Sequence, residues 1–440
     1  MILLLSSLLF ACDDGHPVDT STLPVVGELP GFYGDRPKNL IVISVDTYRR
    51  DMLARHGGDP ANTPFMDQLA ADGFVLDQHT TGSNWTKGGM ACALNGMYSY
   101  EWGLIPRLAE QEPGPPRPTL SSMLAVYGYD TMLITSNGWL LDGGLDGGYT
   151  YTEQPDVNTA TSIAESGVNA VETRVADSDQ PWFLHMHFLE PHAAYNPPSE
   201  YLEGLEDLEE VPWNLADREQ HYDLLPDWPD MTAEEQELLL AHLRVRYAGD
   251  LRWLDDEIRE VWTELEVRGL LEDTLVVLWN DHGEQFWEHD KQTHVWGLYG
   301  EENDGFAIFW ANNIVSEAWT EPTNHIDLAP TILSALGLTP AADWSGLPVG
   351  LADPDRPIIA ESWSRAGPRM AVTVGDHKLI YTWTGEKELY DRATDPGELT
   401  NLYDASDPLV IELWTHLMPV VERWVELVGN SAGDPVNPGP

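Results

Sequence analysis

The sequence predicts an α/β fold built on a mostly parallel central sheet with helices on both faces. Apolar runs at 39–45, 130–134, 182–188, 274–280 and 306–310 have the length and the β-branched or aromatic content of buried strands. Helical patterns separate these runs, and strands joined through helices pair in parallel with both faces covered. Beyond about residue 345 the pattern changes to short strand-like pieces, Met370–Val374 and Lys378–Thr382, and a final helix near 407–428.

Each further element has its own signal. Met1-Ile-Leu-Leu-Leu-Ser-Ser-Leu-Leu-Phe-Ala-Cys12 is an apolar run too short to span a bilayer. It resembles a bacterial lipoprotein signal in which Cys12 becomes the lipid-bearing residue; a truncated ordinary signal peptide is the alternative. On this reading the protein is exported, a periplasmic or cell-surface lipoprotein that meets a membrane only through Cys12. Residues 13–37, rich in Asp, Pro, Gly and Thr, read as a flexible tether. With Cys12 lipidated, Cys92 is the remaining thiol and no internal disulfide forms.

Thr63-Pro64 starts a helix and Gly73 stops it. Residues 199–232 are acidic, contain several Pro, and read as a solvated surface excursion. Thr232-Ala-Glu-Glu235 has the capping-box pattern of one helix. From Tyr247 the apolar positions Leu251, Leu254, Ile258, Trp262 and Leu265 mark one face of another, ended by Gly269. The last ten residues, 431–440, read as a disordered tail.

Composition bounds the partners. Apolar content of 42% with 18 Trp and 16 Tyr supports a buried core. The 73 acidic residues against 23 basic ones give a net charge of −50, which repels nucleic acid and anionic membranes. Such a surface does not steer an anionic substrate, so local positive charge has to draw one in. Solubilisation is the plain reading of the acidic surface, and cation binding the alternative.

Three segments carry chemistry. Asp46 closes the apolar run 39–45, and Asp281-His282 follows the run 274–280. In open α/β sheets, ligand-binding groups gather beyond the carboxyl ends of strands. Thr86, in Ser83-Asn84-Trp85-Thr86-Lys87-Gly88-Gly89, precedes a short apolar helix, which puts its hydroxyl at a helix N-terminus that favours an anion. A lone Asp after a strand reads as a cap or turn residue. Two carboxylates, an imidazole and a hydroxyl together suit a divalent ion (Ca²⁺, Mg²⁺, Mn²⁺ or Zn²⁺) beside a nucleophile.

On Ser44-Val-Asp-Thr-Tyr-Arg-Arg-Asp51, Thr63–Gly73, His187-Phe-Leu-Glu-Pro-His192, Trp253-Leu-Asp-Asp256, Leu275–Glu284, Asp327-Leu-Ala-Pro-Thr331, Glu388–Asp391 and Asp395-Pro-Gly-Glu398, the chain resembles the sulfatase family of the alkaline phosphatase superfamily. The matching stretches span roughly residues 38 to 405. The resemblance implies a catalytic domain over 38–345 and a smaller C-terminal α+β subdomain over 346–430. It implies one divalent metal held by Asp46, Asp281, His282 and Thr86. Many sulfatases have a second Asp where this chain has Thr47. The remaining set is similar to that of single-metal phosphoethanolamine transferases and of phosphonate or phosphodiester hydrolases.

Sulfatases that resemble this chain carry Cys or Ser at position 86, with Pro two and Arg four residues later, and convert it to formylglycine. Here those positions are Thr86, Gly88 and Met90, so the modification signal is absent; Cys92 reads as a small helix residue packed against the sheet. A threonine ester cannot collapse as a formylglycine hemiacetal does, so water must displace it at the central atom. Phosphoryl centres allow that readily. The resemblance further implies that His192 and His294 serve as ester-binding or acid groups. Two cations are candidate substrate-binding residues: Lys87, which would neutralise the transferring group, with a solvent-facing side chain as the alternative, and Arg49, which matches a family arginine near the first ligand, with a structural ion pair as the alternative. His185 and His187 alternate on one strand and read as core.

Three functions follow in order. The first is a Thr86-nucleophile hydrolase of phosphoric mono- or diesters or phosphonates, whose partner is a small-molecule, glycan or lipid ester. The second is a sulfuric ester hydrolase with an atypical nucleophile. The third is a non-catalytic, lipid-anchored binder of anionic glycans.

Overall fold

A computed structural model of the chain describes residues 27–103, 117–142, 144–175, 178–204, 207–364, 367–428 and 435–440. The lipoprotein-type signal with Cys12 and most of the tether lie outside the described residues. No described helix is long and apolar enough to cross a membrane.

The elements of the larger sheet are β1 (Asn39–Val45), β2 (Phe74–Thr80), β3 (Asp130–Thr135), β4 (Tyr151–Glu153), β5 (Trp182–Phe188), β6 (Thr274–Asn280), β7 (Asp304–Trp310), β8 (Glu317–Trp319) and β9 (Thr323–Asn324). Their order is β8-β2-β7-β6-β1-β5-β3-β4, with β9 also alongside β2. Only β7 runs antiparallel to its neighbours, β2 and β6. The chain is therefore α/β with a mostly parallel sheet. Period-two alternation decides what each face buries. In β1, Ile41, Ile43 and Val45 join one core cluster, while Leu40 and Val42 join the other.

The helices that position the site are α1 (Pro64–Asp72), α2 (Thr86–Asn95), α3 (Ala160–Val175), α4 (Arg218–Asp227) and α5 (Ala233–Val267). The N-terminus of α1 is capped from a distance. Thr63 makes no side-chain cap bond; instead Asp255 of α5 accepts from the Phe65 and Met66 N–H groups at 2.9 and 2.8 Å. The two helices expected from Thr232 and from Tyr247 are one element of 35 residues, capped at Thr232 by the expected box. No Gly or Pro interrupts the apolar stripe except Gly249, which packs against Pro197 and the Tyr201 carbonyl.

Residues 199–232 are more than a solvated loop. They include α4 and bury Leu215, His221 and Leu224, and Ala216 and Arg218 border the main cleft. The physical reason is local: His221 packs edge-on against Tyr195 and bonds Gln292 at 2.6 Å.

The C-terminal subdomain is an antiparallel sheet, β10 (Ile358–Ser364), β11 (Gly367–Val374), β12 (His377–Thr382) and β13 (Lys387–Asp391), covered by α6 (Pro408–Val428). Buried Glu361 ties it to the catalytic body by accepting from Ser99 Oγ at 2.5 Å and Tyr100 N at 2.9 Å, while Trp424 Nε1 of α6 donates to it at 2.7 Å within the subdomain. The Ser83 hydroxyl donates to the Glu361 carbonyl at 2.6 Å, so the subdomain also braces the loop that leads to Thr86. Cys92 packs in the core cluster shared with this subdomain rather than against the main sheet. Of the expected tail, 431–434 lie outside the described residues. Val436 is held by hydrogen bonds from its N–H to the Trp383 carbonyl and from the Tyr381 hydroxyl to its own carbonyl, each 3.0 Å.

Candidate active site

Four adjacent strands deliver the site. In the order β6-β1-β5-β3, their carboxyl ends supply Asp281 and His282, then Asp46, then His192, then Asn137. The sheet ladder fixes the two acids, because Asp46 N–H donates to the Phe188 carbonyl at 3.0 Å and Asp281 N–H to the Val45 carbonyl at 3.1 Å. Helix α2 brings Thr86 as its first residue. Its approach depends on Gly89: a Cβ there would stand 2.3 Å from the Asp281 carbonyl oxygen. Glycine thus lets the helix N-terminus abut the acid-bearing loop.

Asp46, Asp281 and His282 are fully buried, and one ligand atom of each lies within 4.8 Å of the others. Their remaining atoms have partners. Asp281 Oδ1 accepts from Thr47 N at 3.1 Å and His282 N at 2.7 Å, and His282 Nδ1–H donates to the Gly283 carbonyl at 2.9 Å. Asp46 Oδ2 accepts from Asn137 Nδ2 at 2.9 Å and from the Thr86 hydroxyl at 3.3 Å. What stays without a partner is Asp46 Oδ1, Asp281 Oδ2 and His282 Nε2, the three atoms that face one another. Two buried carboxylates this close to each other are costly to keep ionised without a cation. Burial, and then Asp46, push Asp281 well above the ordinary carboxyl range. Burial pushes Asp46 up too, but His192, His187 and His282 outweigh it and hold Asp46 well below that range. Burial holds His282 below its usual value, which keeps its ring neutral and able to ligate. An oxygen–oxygen–nitrogen set of this kind fits a divalent cation.

His192 and His294 face each other across the cleft with ring centroids 5.1 Å apart, and His294 lies 4.5 Å from the His282 ring. His192 Nδ1 donates to the Ala193 carbonyl at 2.6 Å. His294 Nδ1 meets buried Glu284 at 3.1 Å, and Glu284 also accepts from Tyr195 at 2.6 Å. Burial lowers His192, but Asp46 and Glu284 outweigh it and raise it above an ordinary histidine. The cleft, about 690 Å³, is lined by Thr86, Asn137, His192 and His294, with Trp85 and Trp139 at one wall.

Two expected ester-binding residues are elsewhere. Lys87 donates to Asp142 at 2.7 Å and lies 5.7 Å over the Trp139 ring, outside the cleft lining. Arg49 is taken by Asp51 at 2.7 Å, Glu288 at 2.6 Å and the Glu284 carbonyl at 3.2 Å. It braces the Glu284 loop as a structural ion pair. Asn137 and Glu284 went unpredicted as functional residues. Asn137 sits just past a strand end, the position that exposed the two acids, and Glu284 lies two residues after His282.

Residues 38–338 match the Sulfatase family model. The chain belongs to the sulfatase family. It is 24% identical over 421 residues to the uncharacterized sulfatase YidJ of Escherichia coli K12, which covers 83% of each chain. The solved structure of BT4656 with its substrate D-glucosamine-2-N,6-O-disulfate has a TM-score of 0.71 at 18% identity and covers 90% of this chain and 99% of that one. The phosphonate monoester hydrolase of Agrobacterium radiobacter gives 0.63 at 20% identity, over 89% and 95% of the two chains. This sulfatase-family chain is accordingly a hydrolase acting on ester bonds, with a sheet and a C-terminal subdomain that match solved sulfatases.

Proposed function

We propose that the chain is a metal-dependent hydrolase of phosphoric mono- or diesters or phosphonates that uses Thr86 as its nucleophile. The observation that carries this reading is the trio of unpartnered atoms, Asp46 Oδ1, Asp281 Oδ2 and His282 Nε2, beside a hydroxyl that opens a helix. These residues would hold the ion, which supplies positive charge to the ester oxygens and to the Thr86 alkoxide. The imidazole ligand favours Mn²⁺ or Zn²⁺ over Ca²⁺ or Mg²⁺.

Thr86 Oγ1 loses its proton toward Asp46 Oδ2 and attacks phosphorus, and the bond to the leaving alcohol breaks. His294 Nε2–H, its Nδ1 turned to Glu284, gives that alcohol its proton. In the second step His294 takes a proton from water, the water oxygen bonds phosphorus, and the bond to Thr86 breaks as Thr86 Oγ1 takes its proton back from Asp46 Oδ2. The first-turn N–H groups of α2 stabilise the ester oxygens throughout. Without the formylglycine exit, this second displacement is what favours phosphorus over sulfur. The fold likeness to a phosphonate monoester hydrolase supports the same choice.

The experiment is turnover of nitrophenyl phosphate, a phosphodiester, a phosphonate and a sulfate with each divalent metal. Phosphorus esters are expected to turn over with Mn²⁺ or Zn²⁺. Fast sulfate hydrolysis with inert phosphorus esters would overturn the substrate choice, and no turnover with no bound metal would favour a binding role. Within this mechanism, Glu284→Gln is expected to lower kcat/KM for alkyl esters by roughly 10- to 100-fold, while nitrophenyl esters, whose leaving group needs no proton, change by only about twofold. A leaving-group series measures the difference.

A further inference from the structure

The two strand histidines set aside as core belong to a buried polar chain that ends on Asp46. Tyr149 Oη lies 2.8 Å from His185 Nδ1. His185 Nε2 lies 2.8 Å from Ser44 Oγ, and Ser44 Oγ lies 2.8 Å from His187 Nδ1. His187 Nε2 then stands 3.6 Å from Asp46 Oδ2, longer than a hydrogen bond but within strong electrostatic reach of a carboxylate. The strands enforce the register, because Ser44 pairs with His187 in the β1–β5 ladder and His185 lies two residues before it on the same face. Ser44, His185 and His187 are all buried.

One direction suits these links: with His187 Nε2–H toward Asp46 and its Nδ1 as the acceptor, Ser44 donates to Nδ1. The Ser44 oxygen is then free to accept from His185 Nε2–H, which leaves His185 Nδ1 to accept from Tyr149. The three inner links each pair a donor with an acceptor, and the outermost donor, His187 Nε2–H, stands 3.6 Å from Asp46 Oδ2. Burial keeps His185 well below its usual value and hence neutral, and burial raises the Tyr149 hydroxyl so that it keeps its proton.

We propose that Tyr149, His185, Ser44 and His187 form a positioning relay that orients Asp46 so that its other oxygen, Oδ1, faces the metal. The proposal rests on the metal reading above and deepens it. Asp46 has two carboxylate oxygens with different duties, and the relay, together with Asn137, holds Oδ2 away from the ion. Hydrogen-bonded partners of metal ligands tune affinity by about 10- to 100-fold.

The test is Mn²⁺ affinity by calorimetry on the full chain for the native protein, Ser44→Ala, Tyr149→Phe and the double variant, with Tm measured alongside. Ser44→Ala is expected to weaken Mn²⁺ binding roughly 10-fold, and Tyr149→Phe about threefold because it acts only through the links. The double variant is expected to match Ser44→Ala, since a broken chain cannot be broken again. Tyr149 is only partly buried, so its variant keeps the test open if Ser44→Ala does not fold. Equal affinities in native protein and variants, or losses that simply add, overturn the relay alone. Native protein that binds neither Mn²⁺ nor Zn²⁺ overturns the metal reading beneath it.

Discussion

Thr86→Ala is expected to lower turnover of every ester the enzyme accepts by about 10³-fold or more, because it removes the only group proposed to bond the transferring centre. The loss should fall in kcat, since Asp46, Asp281, His282 and the helix N-terminus that hold the ion and the ester remain. Stability should change little: the Thr86 hydroxyl makes a single 3.3 Å hydrogen bond to Asp46, worth about 1 kcal/mol or less. A fold-preserving loss of kcat therefore separates a nucleophile from a structural hydroxyl. Thr86→Ser keeps the oxygen and is expected to stay within roughly 10-fold of native activity. Intact mass of enzyme quenched during turnover provides the direct check. The native chain and Thr86→Ser should carry one phosphoryl group, and Thr86→Ala none. A Thr86→Ala variant with native turnover would mean that water attacks the ester directly and that Thr86 serves only as a ligand or cap.

The parts of the site that were legible in the sequence are those in which local pattern coincides with geometry. Asp46 and Asp281-His282 each end an apolar run, and strand ends gather at one edge of a parallel sheet, so an acid there had only a small region in which to fall. Thr86 was legible because Gly88, Gly89 and an apolar stretch mark a helix start. The illegible parts depend on partners distant in sequence. Lys87 is taken by Asp142, and nothing near it in the chain reveals that carboxylate; Arg49 pairs with neighbouring Asp51, but its second partner, Glu288, lies far along the chain. His185 and His187 have the alternation of core residues because they do lie in the core. Their polar role depends on Ser44, 141 and 143 residues away. The reversed direction of β7 was also hidden, since an apolar run reads alike both ways. Helix α5 was divided in two because its capping box and its strongest apolar stripe lie apart, although its pattern never breaks.

Asp281→Asn is expected to abolish metal binding and with it turnover, by about 10³-fold or more, while leaving the metal-free protein as stable as the native chain or more so. The opposite signs follow from the geometry. Native Asp281 and Asp46 bring two carboxylates within 4.8 Å of each other in the buried core, and burial and Asp46 already push Asp281 far toward its protonated form. Asparagine keeps the Oδ1 acceptor for Thr47 and His282. It also places an N–H donor where Oδ2 opposed the Asp46 oxygen, so a repulsion becomes an attraction. The native chain instead recovers its stability from the ion, about 2.7 kcal/mol at a hundredfold excess over Kd. Thermal unfolding with Mn²⁺ and with a chelator reads both effects. The native Tm should rise with metal and fall with chelator, whereas the Asp281→Asn Tm should ignore both and lie at or above the chelated native value. A metal-free Asp281→Asn protein that melts well below chelated native protein would show that Asp281 is held by structural bonds rather than kept in strain for a cation. The Asp46–Asp281–His282 cluster would then lose its standing as a metal site, whatever the activity measurements gave.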